Sequence, residues 1–105
     1  MHNFDTPRAV WATLRIHECL GWSDLFANVN SGRRTSYSRI SVQTYVRRVL
    51  MSGGYVIDGT PSLRTTRYTL IHDTGPRAPI RRNGAIWDPN IGKVIDPAAG
   101  GIANV

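Results

Sequence analysis

The sequence predicts an α+β fold made of three helices, a β-hairpin and an extended tail. Three observations predict it. Apolar residues recur at helical spacing in three separate segments, each preceded by a candidate cap. Two short runs rich in β-branched residues flank a Gly/Pro turn. The last third of the chain is broken by proline and glycine. At 105 residues the chain is the size of one domain, and its 41% apolar residues can build a core with little to spare.

The first helix is expected over residues 5–21. Asp5 or Thr6 caps it, and Pro7 sits in the first turn, where a missing N–H costs nothing. Val10, Trp11 and Leu14 form one stripe; Ala12, Ile16, Cys19 and Leu20 form a neighbouring one, and Gly21 serves as C-cap. Ser23 can cap a short second helix over 24–29, with Leu25 and Phe26 facing inward. Residues 30–40 are polar and arginine-rich, and hold either a short strand around 35–38 or an ordered loop.

The third helix, 42–52, starts from Ser41 as N-cap. Val42, Tyr45, Val46, Val49 and Leu50 make one apolar stripe, opposite Gln43, Thr44, Arg47, Arg48 and Met51. Gly53-Gly54 ends it. Residues 55–58 and 64–71 then read as paired strands around Gly59-Thr60-Pro61-Ser62. Tyr68 and Leu70 share one face of the second strand, Arg67 and Thr69 the other, and Arg64 lies near the tip. Beyond Asp73 come four prolines (76, 79, 89, 97) and five glycines (75, 84, 92, 100, 101). On that composition residues 74–105 are expected to be an extended or disordered tail, outside a domain spanning 1–73. The echo of Ile86-Trp87-Asp88-Pro89 in Val94-Ile95-Asp96-Pro97 is too little for a repeat fold.

Charge narrows the function. The net charge is +6, and twelve of the thirteen basic residues are arginine, only Lys93 being lysine. Residues 33–82 hold ten arginines against Asp58 and Asp73, while the rest of the chain is slightly acidic. Arginine's planar donor fork matches phosphate and the guanine edge, so a basic block over a folded region points to a polyanion. The alternative is a solvated basic surface with no specific partner.

The order helix, helix, turn, helix, hairpin resembles the winged helix-turn-helix family over roughly residues 6–72. The stretch Ser41-Val-Gln-Thr-Tyr-Val-Arg-Arg-Val-Leu-Met-Ser-Gly-Gly-Tyr-Val56 is similar to a recognition helix running into the first wing strand. The long segment before Ser41 departs from that family's tight turn. The resemblance implies that helix 42–52 enters the major groove of double-stranded DNA and that the wing, 55–71, lies on the backbone or in the minor groove. On that reading Gln43 can read adenine and Arg47 guanine, while Thr44 and Arg48 reach phosphate or flanking positions. Ser38, Arg39 and Ser41 lie at the helix start, where backbone N–H groups favour phosphate. Arg33 and Arg34 track the backbone from the loop. Arg64 and Arg67 bind phosphate from the wing, or protect an edge strand. Arg81 and Arg82 belong to a basic arm that can lie along a groove. Tyr37 either stacks or packs. Trp87 folds back on the domain or anchors a protein partner. The arrangement also resembles the tails of small prophage-encoded winged-helix proteins.

Nothing in the sequence proposes catalysis, a metal or a cofactor. His17-Glu18-Cys19 lacks metalloprotease spacing, no Cys/His set has zinc spacing, and no Gly-rich phosphate loop precedes a helix. One cysteine, Cys19, permits no internal disulfide and fits a reducing compartment. No apolar run reaches the roughly 18 residues needed to cross a bilayer, and no secretory signal is expected. The expectation is therefore a cytoplasmic, nucleoid-associated DNA binder acting in transcription regulation. The same charge would permit RNA. The competing class is a winged-helix module for protein contact in a replication, transposition or transcription assembly, with the tail as docking segment.

Overall fold

The first helix stops where a strand edge needs it to stop. In the computed structural model, which describes residues 5–32, 36–58 and 67–105, helix α1 spans Asp5–His17. Glu18 then takes φ 65, and Cys19–Gly21 forms strand β1. This strand pairs antiparallel with β3 (Arg67–Leu70), Leu20 opposite Tyr68. The expected helix over 5–21 is thus four residues too long. Leu20 fits a helical stripe and a half-buried strand equally well, and the strand satisfies its backbone groups on β3. Val10, Trp11 and Leu14 are buried as expected, but Ile16 is 76% exposed.

Gly21, expected as a C-cap, is instead the N-cap of α2 (Trp22–Val29), with no side-chain bond. Ser23 is therefore inside the first turn rather than capping it. Leu25 is buried and Phe26 is half-buried. Residues 36–38 are loop, not strand, and Asn30 ties that loop back. Its Oδ1 accepts the Tyr37 N–H at 2.6 Å, and its Nδ2 donates to the Phe26 carbonyl at 3.2 Å. Tyr37 packs half-buried against the core.

Helix α3 (Arg39–Tyr45) runs on without a break as a π-helical stretch, Val46–Met51. Its cap is Ser38, not Ser41: Ser38 Oγ accepts the Ser41 N–H at 3.0 Å. The stripe of Val42, Tyr45, Val46, Val49 and Leu50 is buried throughout. Strand β2 (Val56–Asp58) pairs with β3, Ile57 opposite Thr69, which completes a sheet of order β1–β3–β2. Tyr68 is buried and Arg67 exposed, as alternation requires. The hairpin turn, 59–62, lies outside the described residues.

Residues 74–105 are not an extended tail. They form a second antiparallel sheet, β4 (Ile80–Arg82), β5 (Ala85–Asp88) and β6 (Lys93–Ile95), in that order, followed by two short 3-10 turns. Asn83 and Gly84, at φ 53 and 79, make the left-handed two-residue turn that joins β4 to β5. Pro89 and Pro97 follow strands instead of interrupting them. Ile86, Ile95 and Ile102 enter the same core as Val10, Leu50 and Tyr55. The division at residue 73 therefore does not separate a folded part from an unfolded one.

Three buried aromatic tips bind this segment to the helices. Trp11 Nε1–H donates to the Gly75 carbonyl at 2.8 Å, Tyr45 O–H to the Pro79 carbonyl at 2.7 Å, and Tyr55 O–H to Asp88 Oδ2 at 2.8 Å. Asp88 is fully buried. Its carboxylate also accepts the Thr74 O–H at 2.7 Å and the Asn90 N–H at 2.9 Å. Asn90 Nδ2 in turn donates to Thr74 Oγ1 and the Arg77 carbonyl. Farther along, the Ile102 N–H donates to the Gly53 carbonyl at 2.7 Å. A Cβ on Gly101 would lie 2.5 Å from that oxygen, so only glycine allows the approach.

Asp88→Ala leaves the Tyr55 and Thr74 hydroxyls without their acceptor and is expected to destabilise the fold by about 3 kcal/mol. Urea unfolding measures it; an unchanged midpoint would mean that the network carries no stability. Burial pushes the Tyr55 hydroxyl well above its ordinary pKa, and the hydrogen bond and charge of Asp88 push further. Burial, then Tyr55 and Asp88, do the same to Tyr45. The folded chain then keeps protons that unfolded tyrosine releases near pH 10. Stability is therefore full below that pH and falls above it, by about 1.4 kcal/mol per pH unit for each tyrosine. Denaturation midpoints at rising pH should be level until about pH 10 and then drop, less steeply in Tyr55→Phe.

Candidate nucleic-acid interface

With one side of the third helix committed to the core, the other is left to solvent. Arg39, Ile40, Thr44, Arg47 and Arg48 are exposed, while Ser41, Gln43 and Met51 are half-buried. Arg39 folds back over the Phe26 ring, 5.3 Å from its centre. Ser41 Oγ accepts from Ser38 Oγ at 2.9 Å, so its hydroxyl helps build the cap. The π-helical stretch is visible in its bonds: Ser52 N–H reaches the Arg47 carbonyl and Tyr55 N–H the Leu50 carbonyl, five residues back in each case.

Two arginines leave this helix toward different neighbours. Arg47 lies on the β3 side. Its charge acts on the Tyr68 hydroxyl of β3, where it opposes the upward push of burial while Asp58 adds to that push. Arg48 lies on the other side, in the wall of an open cleft of about 400 Å³. Thr6 of α1, Ile40 and Thr44 of α3, and Ile80 and Arg81 of β4 share that cleft. Thr6 Oγ1 is buried with no hydrogen-bond partner, a condition that costs about 1–3 kcal/mol.

The predicted residues are thus only partly gathered. Ser41, Thr44, Arg48 and Arg81 surround the cleft, and Arg47 lies on the β3 side. Arg81 and Arg82, read as one basic strip, diverge because neighbours on a strand point to opposite faces. Arg82 lies over the Trp87 ring at 5.5 Å, on the far side of the second sheet. Trp87 is half-buried there, between Ile80 and Val94 across the strands. Arg33, Arg34 and Arg64 lie outside the described residues. Sequence reasoning gave no interface role to Ile40 or Thr6. Ile40 is 76% exposed, yet nothing in its neighbours distinguishes it from a core residue.

Among the described residues the ion pair is Arg15–Asp73, at 2.9 Å. No carboxylate pairs with Arg47, Arg48 or Arg81 there. No group of three His, Cys, Asp or Glu residues among them could hold a metal ion, and no helix is long and apolar enough to cross a membrane. No family model, curated protein or solved structure matches this chain.

Arg67 stands on the exposed face of β3 beside Cys19. Thr69 O–H donates to Cys19 Sγ at 3.3 Å, and this bond, then Arg67, holds the thiol below its ordinary pKa against the opposing effect of burial. Iodoacetamide alkylation of Cys19 is expected to reach half its maximal rate at a lower pH than a free cysteine does. Arg67→Ala should move that midpoint up. A midpoint that does not move would remove Arg67 from the thiol's surroundings.

Proposed function

We propose that this chain is a winged helix-turn-helix DNA-binding domain acting as a small transcriptional regulator, a binding module rather than a catalyst. The observation that carries the reading is the third helix. It buries Val42, Tyr45, Val46, Val49 and Leu50 and leaves Thr44, Arg47 and Arg48 exposed, with no carboxylate partner among the described residues. A duplex-reading helix needs that division. The element order supports it: a short strand after the first helix, two further helical segments, then a hairpin whose strands close the sheet β1–β3–β2. In this reading Arg47 and Gln43 face base edges, and Ile40 offers an apolar contact suited to a thymine methyl. Arg48, Arg67 and Arg81 neutralise phosphates.

A second reading, protein contact, is favoured by one surface. Ile80, Trp87 and Val94 form a row across the outer face of the second sheet, and Val94 is 60% exposed. Polarisation of a labelled duplex separates the two. Binding should weaken steeply with salt, with a slope of log affinity on log salt of about −3 to −5 for a handful of phosphate contacts. Arg48→Ala and Arg81→Ala should each flatten that slope by about one. Arg47→Ala should relax base preference by about 1–3 kcal/mol at one position in duplexes selected from a random pool. No binding to any duplex at low salt would remove the DNA reading in favour of the protein one.

A further inference from the structure

The cleft between α1, the third helix and β4 has features that a phosphate-tracking surface does not need. Its walls are mainly apolar, Ile40, Tyr45 and Val49 among them. Two guanidinium groups, Arg48 and Arg81, stand at it from different elements, and among the described residues no carboxylate lines it. A volume of about 400 Å³ falls within the range of small-molecule sites. A phosphate backbone, charged and fully hydrated, would gain nothing from the apolar wall.

We propose that this cleft binds a small organic anion with an aliphatic or aromatic body, its carboxylate held by Arg48 and Arg81. Arginine's fork accepts a carboxylate through paired N–H donors. The body of the ligand lies against Ile40 and the other apolar residues of the wall and leaves water by doing so. One consequence rests on the DNA-binding reading: Arg48 cannot hold a ligand carboxylate and a phosphate at once, so ligand and duplex compete.

The test uses the full chain, ¹⁵N-labelled, titrated with octanoate and with octanol as its uncharged twin. Octanoate is expected to shift the amide signals of Thr6, Thr44, Arg48 and Arg81 saturably, and octanol to bind about tenfold more weakly or less. Arg81→Ala should weaken octanoate about tenfold while leaving octanol unchanged. Saturable shifts absent from these amides, or equal affinity for the two probes, overturn the site. A duplex arm keeps the two readings apart. Octanoate should lower duplex affinity in the polarisation assay; if it binds the cleft and duplex affinity is unmoved, the competition is overturned and the ligand site stands. If no duplex binds at all, the DNA reading fails and the amide shifts still decide the cleft.

Discussion

Burying an aromatic side chain that carries a donor obliges the fold to supply an acceptor. Trp11, Tyr45 and Tyr55 sit in the core, Trp11 edge-on to Tyr55 with ring centres 5.6 Å apart. All three find their acceptors on one stretch of chain, at Gly75, Pro79 and Asp88. The C-terminal sheet is therefore structural to the helices it covers. It also fixes where β4 runs: with Pro79 bonded to Tyr45, the next residues pass alongside the third helix, and Arg81 comes to share a cleft with Arg48.

The helices and the hairpin were legible because their patterns are local. The stripe from Val42 to Leu50 repeats at helical spacing, and Tyr68 and Arg67 alternate as a strand requires. Strand β1 was not legible, because Leu20 satisfies both periods and only its partner on β3 decides between them. Ser38 and Ser41 compete for one cap, and both are good capping residues. The C-terminal sheet is hidden by composition: prolines and glycines at this density suggest disorder, yet here they serve as turn residues. Asn83-Gly84, between Ile80-Arg81-Arg82 and Ala85-Ile86-Trp87, was the local signal that reveals a hairpin. The candidate site was legible on the helix and not across it. Arg47 and Arg48 follow from periodicity, but the meeting of Thr6, Arg48 and Arg81 is a matter of tertiary packing, which no spacing in the chain encodes.

The third helix acts as a divider. On one flank the charge of Arg47 acts on the buried Tyr68 of the sheet β1–β3–β2; on the other Arg48 shares a cleft with Arg81 of β4. A basic block that is continuous in sequence is thus dealt out to two sides of one helix, and its last member, Arg82, to a third surface against Trp87. Charge density along the chain overstates how much of it any single partner can meet.

The bond from Ile102 to Gly53, made possible by the missing side chain at Gly101, also orders events during synthesis. The helices and hairpin leave the ribosome before the residues that receive the tips of Trp11, Tyr45 and Tyr55 have been made. Until those residues follow, the nascent chain holds an incomplete core whose polar groups are matched only by water. Domains generally mature as units as they emerge; here the core closes only after residues 75–102 have emerged, and a chaperone has that interval in which to meet it.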